Sequence, residues 1–216
     1  MKLHEKLNPK FTALIVVDLQ NDFCSPSGLM ASLGKDVSKM DAVVEGTQAL
    51  IRVCETVQVP VFYTQLIYDR TKLTDLQKEQ YDLDGRMVTC DIRGDGYKFY
   101  RLEPPAERVF PKYNYNIFSN PALEAELRER GIKTLIITGV STQICVETAI
   151  RNGFDIGYKI VVPRDLVATT SSDPETQERT LRLVKKTYGV VSDASEISEM
   201  LQRASAVAVK NKTNLV

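Results

Sequence analysis

The sequence predicts an α/β fold in which a parallel sheet is covered by helices on both faces. Apolar, β-branched runs recur along the chain, as in Thr12-Ala-Leu-Ile-Val-Val-Asp18, Thr134-Leu-Ile-Ile-Thr138 and Tyr158-Lys-Ile-Val-Val162. Strands apolar on both faces mark buried parallel pairing. Helical stretches with recognisable starts and stops fall between them. Such alternation requires right-handed crossovers and sets ligand sites outside the carboxyl ends of the strands.

Thr12–Asp18 is the first strand. Residues 40–57 place Ala42, Val43, Thr47, Leu50, Ile51 and Cys54 on one stripe at helical spacing. Val59-Pro-Val-Phe-Tyr-Thr64 is the second strand, with Pro60 near its start. Residues 65–108 mix charges with Gly85, Gly94, Gly96 and Pro104-Pro105 and keep no period. They read as a long excursion over the strand ends, with a short helix around residues 75–81, and long loops of this kind are usually functional. Residues 108–112 form a short strand. Asn120-Pro-Ala-Leu opens a helix, Asn at the cap and Pro in the first turn, which stops at Gly131. After Thr134–Thr138 a helix runs through Cys145 to near Asn152-Gly153. A strand at 158–162 follows, then a helix from Ser172-Asp-Pro-Glu175 to about Tyr188, a last strand at Gly189-Val-Val191 and a last helix over 193–203. The expected organisation is a leader (1–10), a single domain (11–203) and a tail (204–216) of unassigned structure, since 216 residues suit one α/β domain.

Hydrophobic residues make up 43% of the chain, enough for a core, and 28 basic residues balance 28 acidic ones. Zero net charge argues against nucleic acid or an anionic membrane as partner. No apolar run approaches a membrane span, and Met1–Lys10 lacks the apolar segment of a secretory signal. Cys24, Cys54, Cys90 and Cys145 form no CxxC or Cys/His cluster. They predict reduced thiols and a cytoplasmic location. His4, in the polar leader, is the one histidine, so no histidine-based triad or multi-histidine metal site is available. No metal or other cofactor is expected. Neither Gly-x-Gly-x-x-Gly nor Gly-x-x-x-x-Gly-Lys-Ser/Thr follows any strand, which disfavours a nucleotide-binding domain.

Asp18, Lys112 and Cys145 each lie at or just past the C-terminal end of a predicted strand, so three separate strands can bring them to one crevice. Singly each has a plainer reading: a turn-capping acid, a surface lysine, a core thiol. Together they make a chemical unit. A thiol in the first turn of a helix faces backbone N–H groups, and the helix dipole is expected to lower its pKa. Without histidine, a partly desolvated carboxylate can take the thiol proton, an ammonium can hold the developing negative charges, and helix-start N–H groups can receive an oxyanion. Phe23, Gln65, Tyr68, Tyr115 and Phe118 are candidates for the walls of a substrate pocket, with core packing or loop surface as the alternative for each. Gln20 and Asn21, after the acid, are placed to orient it or a nearby loop, or only to serve the turn.

Three motifs carry a family resemblance. Ile15-Val-Val-Asp18-Leu-Gln-Asn-Asp-Phe23, Lys112-Tyr-Asn-Tyr-Asn-Ile-Phe118 and Gly139-Val-Ser-Thr-Gln-Ile-Cys145-Val-Glu-Thr-Ala149 resemble, in order and spacing, the three motifs of the isochorismatase-like cysteine hydrolases over roughly residues 11–202. The resemblance implies a three-layer α/β/α fold with a six-stranded parallel sheet of order 3-2-1-4-5-6. It implies Cys145 as nucleophile, Asp18 as general acid/base and Lys112 as electrostatic partner. It further implies a cis peptide between Val140 and Ser141, an oxyanion hole from the backbone of Ser141 and Cys145, and a homo-oligomer, dimer or tetramer. The nicotinamidase branch binds a metal through an Asp-x-His…His set that this sequence lacks, and members that cleave isochorismate lack the cysteine. What remains is a metal-free amidase acting on a small amide or carbamoyl (ureido) substrate, of the ureidoacrylate, N-carbamoylsarcosine, biuret or maleamate type, with the ureidoacrylate type most similar around Cys145. A binding or scaffold protein of the same fold without turnover is the alternative of another class, and a nicotinamidase-type or isochorismatase-type hydrolase is the alternative within the family.

Overall fold

The structure is a computed structural model and describes residues 3, 7–84 and 88–213; His4 of the leader, Gly85 and the last three tail positions lie outside them. Among the described residues seven parallel strands form one sheet: β1 (Thr12–Val17), β2 (Val61–Leu66), β3 (Val109–Lys112), β4 (Thr134–Val140), β5 (Lys159–Pro163), β6 (Val167–Ala168) and β7 (Gly189–Ser192). The order is β3-β2-β1-β4-β5-β7, with the two-residue β6 paired to the end of β4. This is the expected 3-2-1-4-5-6 arrangement, the sixth full strand being β7. Every residue of β1 and β4 is buried, as their apolar runs require at the centre of a covered sheet.

Alternation along β1 divides the core. Leu14 and Val16 face a layer built from α3 (Met40–Thr56) and α8 (Ala194–Thr213), including Val43, Leu50, Ile197 and Leu201. Ala13, Ile15 and Val17 face the opposite layer, built from α5 (Pro121–Glu129), α6 (Glu147–Asp155) and α7 (Pro174–Leu183), including Leu123, Leu127, Ile150 and Leu181. Each fully buried Leu or Ile contributes ~1.5–3 kcal/mol against exposure, so both faces are firmly held. Asn120 caps α5 by accepting from Ala122 N–H and donates its Nδ2 to Pro111 O at 2.9 Å. Asp173 caps α7 through Glu175 N–H.

The differences from expectation lie at element ends. β4 runs on to Val140, and the helix expected through Cys145 is instead a π-helical turn, Thr142–Val146, followed by α6. The last helix continues to Thr213 rather than stopping near Arg203. Three pieces were too short to show a period in the sequence: α1 (Asn21–Cys24), α2 (Leu29–Ser32) and β6. Leu3 and Leu7 of the leader are buried in the α3/α8 layer. The excursion contains the expected short helix, α4 (Asp75–Asp84).

The C-terminal ends of β1 and β4 approach unusually closely. Gly139 pairs with Val17 at φ +112°, and a Cβ there would stand 2.0 Å from Val17 O. Backbone cannot yield as a side chain can, so Gly139→Ala is expected to cost about 3 kcal/mol or more in urea unfolding, from strain and overpacking together; a loss below ~0.5 kcal/mol, the size of a neutral surface change, would contradict this account.

Candidate active site

The three side chains singled out in the sequence meet in one buried cluster. Asp18 follows β1 in the left-handed region at φ +50°. Its Oδ1 accepts from the Thr64 hydroxyl at 2.8 Å, and its Oδ2 lies 2.7 Å from Lys112 Nζ. Lys112 ends β3, and its ammonium also donates to Asn114 O at 3.0 Å and to Cys145 Sγ at 3.4 Å. Carboxylate, carbonyl and sulfur thus surround the ammonium. The side chains of Asp18 and Lys112 are wholly buried, and Cys145 is 4% exposed. Effective desolvation costs several kcal/mol per ion, so neither charge is tolerable here without the other.

This burial reverses one expectation. The helix-start position of Cys145 suggested a lowered thiol pKa, but burial pushes it up, Asp18 pushes it further, and Lys112 offsets them only in part. For Lys112, burial pushes the ammonium down, yet Asp18 and the neighbouring sulfur outweigh it and hold the group above the usual lysine value. The surroundings therefore favour the thiol over the thiolate at Cys145, beside the Asp18–Lys112 pair. The turn carrying that thiol is tight: the Ser141 carbonyl accepts from Ile144 N–H at 3.0 Å and from Val146 N–H at 3.3 Å. Single π-helical turns of this kind are frequent at functional sites. The Val140–Ser141 peptide is cis.

Loop residues adjoin the cluster, and Gln20 N–H donates to Asp18 O at 2.8 Å. Gln20 is fully buried; its Nε2 donates to Leu66 O and Tyr97 O, each at 2.7 Å, and its Oε1 accepts from Leu66 N–H at 2.9 Å. Asn21 Nδ2 donates to Asp95 O. Both residues after the acid therefore hold the excursion. Beside them lies a cavity of about 110 Å3 whose lining includes Leu66, Tyr68, Tyr81, Thr89, Asn114 and Tyr115. Leu66 pairs with Lys112 across β2–β3, and Asn114 supplies the carbonyl that receives its ammonium.

The five expected pocket residues separate. Tyr68 and Tyr115 line the cavity, and Tyr68 meets Tyr81 edge-on at 4.9 Å. Gln65 turns to the loop residues, donating to Tyr97 O at 2.9 Å. Phe23 packs against the α3/α8 core, and Phe118 stacks on Tyr158 in the opposite core, so neither lines this cavity. Sequence reasoning missed Thr64, Asn114 and Cys90. Thr64 carried a signal, a hydroxyl at the end of an apolar strand. Cys90 carried none: it is fully buried, and burial followed by the nearby Asp18 and Asp22 carboxylates pushes its thiol up. Among the described residues no group of three or more His, Cys, Asp or Glu side chains is arranged to hold a metal ion.

Comparison with known proteins agrees with this architecture. The sequence model described as the isochorismatase domain matches residues 12–196. A cysteine hydrolase from Pseudomonas syringae pv. phaseolicola 1448A is similar at TM-score 0.79 and 25% identity, covering 92% of this chain and 95% of that one. An isochorismatase family protein from Burkholderia thailandensis is similar at TM-score 0.72 and 24% identity, covering 91% and 98%. A nicotinamidase from Bacillus subtilis is similar at TM-score 0.68 and 24% identity, covering 84% and 99%. With the domain match running from the first residue of β1 into α8, and the ordered motifs meeting in one cluster, this chain belongs to the isochorismatase domain family.

Proposed function

We propose that the protein is a cysteine-dependent hydrolase that cleaves the C–N bond of a small amide or carbamoyl (ureido) substrate through a thioester and releases ammonia or an amine. The observation that carries this reading is one ammonium 2.7 Å from a buried carboxylate and 3.4 Å from a buried sulfur. The similarity to a cysteine hydrolase supports it.

Because the surroundings of Cys145 favour the thiol, its proton leaves as the carbon–sulfur bond forms. Asp18 Oδ2 accepts that proton, and the sulfur attacks the carbonyl carbon. The oxyanion is received by the N–H groups of Ser141 and Cys145, donors of a kind worth about 3–4 kcal/mol each. Asp18 then protonates the leaving nitrogen, the C–N bond breaks, and the acyl group remains on Cys145. Water gives a proton to Asp18 and its oxygen attacks the thioester; the departing sulfur takes the proton back. Lys112 stays protonated throughout and offsets the negative charge as it moves between Asp18, sulfur and oxyanion. Tyr68 and Tyr115 form the pocket wall, and a homo-oligomer in the cytoplasm suits a reduced thiol enzyme of this kind.

Cys145→Ala is expected to lower ammonia release from a panel of amides, ureido acids and biuret by about 10³-fold or more with the fold retained; wild-type rates in that variant would end the proposal. Lys112→Met leaves Asp18 buried without its cation and is expected to cost about 3–5 kcal/mol in urea unfolding. Adding Asp18→Asn to it should recover part of that loss, whereas simple additivity of the two single changes would show that the pair is not coupled. Since the folded thiol titrates above its ordinary value, alkylation of Cys145 by iodoacetamide should keep rising with pH beyond ~8.5, where an ordinary thiol is half ionised. A plateau already reached at pH 7 would mean that the resting state is a thiolate.

A further inference from the structure

We propose that Asp22 is a positioning residue: its carboxylate clamps the 89–98 stretch onto the segment after β1 and thereby sets one wall of the cavity adjoining the triad. Three parts of the chain converge on this one side chain. Oδ2 accepts from Cys90 N–H at 2.6 Å, and Oδ1 accepts from Leu29 N–H at 3.3 Å. The Asp22 N–H donates to Gly96 O at 3.0 Å. Gly96 presents its bare Cα to the same carboxylate, since a Cβ there would fall within 2.2–2.4 Å of all three carboxyl atoms.

The clamped stretch leads directly to the chemistry. Cys90 stands at φ +58°, its carbonyl accepts from Tyr68 N–H at 2.9 Å, and Ile92 N–H donates to Tyr68 O at 3.1 Å. Tyr68 and Thr89 both line the cavity, as does Asn114, whose carbonyl receives the Lys112 ammonium. Asp22, in α1, is four residues from Asp18, so displacement of the stretch is felt at the base as well as at the wall. A carboxylate is suited to this because hydrogen bonds to a charged acceptor are about twice as strong as neutral ones. An aspartate within α1 that served only its helix would face solvent or the α1 N–H groups, and this one bonds across 68 residues of chain instead.

The proposal rests on the reading of the triad as the reacting cluster, but its test reads alkylation and not turnover, so either can fail without the other. Cys90 is fully buried beneath the clamp and Cys145 is 4% exposed, whereas Cys54 is buried near the C-terminal end of α3, where its carbonyl accepts from Val59 N–H just before β2, at the opposite end of the strands from Asp18 and Lys112, and serves as the control. Two variants loosen the clamp by different means. Asp22→Asn removes the charge and one acceptor. Gly96→Ala introduces a methyl where the carboxylate stands, and it keeps the test open if Asp22→Asn does not fold. Iodoacetamide labelling followed peptide by peptide in a mass spectrometer should show Cys90 and Cys145 reacting about 10-fold faster or more in either variant, the size expected for loss of one charge-assisted hydrogen bond, with Cys54 unchanged. Acceleration of Cys54 to the same extent would reveal general destabilisation, and unchanged rates at Cys90 would show the stretch held without Asp22. Either result overturns the proposal.

Discussion

Asp18 and Lys112 form an ion pair whose two side chains are wholly buried, and the architecture around it follows from that constraint. A carboxylate and an ammonium moved into a protein interior lose more hydration than their mutual attraction returns unless geometry and further hydrogen bonds make up the difference. Thr64 supplies one such bond to the carboxylate, and Asn114 O supplies one to the ammonium. The sulfur of Cys145 also accepts from Lys112. Three different strands must therefore end at one level of the sheet, and the register β1–β2–β3 on one side and β1–β4 on the other delivers that alignment.

Much of this was legible in the sequence because it rests on local rules. The apolar runs of β1 and β4, the Asn-Pro start of α5 and the Asp-Pro start of α7 each signal their element within a few residues. Asp18, Lys112 and Cys145 could be placed at a common edge because each follows an apolar run, and parallel strands put their carboxyl ends together. The protonation state of Cys145 was not legible. Position on a helix argues for a lowered thiol pKa, and only the packing around the sulfur shows that desolvation wins. Phe118 could not be assigned for a related reason: its place after Lys112 suits a pocket wall or the core equally, and only the packing sets its ring, next to the 3-10 turn over Ile117–Ser119, on Tyr158.

The excursion between β2 and β3 resisted sequence reading most. It has no hydrophobic period because it does not build a face of its own. Its order comes from single polar groups of the β1–α1 connection: the Gln20 amide on Leu66 and Tyr97, Asn21 on Asp95, Asp22 on Cys90. Contacts between residues 46 to 77 positions apart leave no local trace.

The bond from Asn120 to Pro111 has a consequence for association. Lys112 rides on the outermost strand of the sheet, and such a strand ordinarily offers a row of free donors and acceptors to any passing chain. Lys112 O turns inward to Ile67 N–H, so the backbone of Pro111 turns outward. There the ring nitrogen has no hydrogen to give, and the carbonyl is already occupied by Asn120 Nδ2. Next to the residue that holds the site's cation, the margin of the sheet is thus closed to strand addition, and the same asparagine that begins a helix also keeps a second molecule from prolonging the ladder.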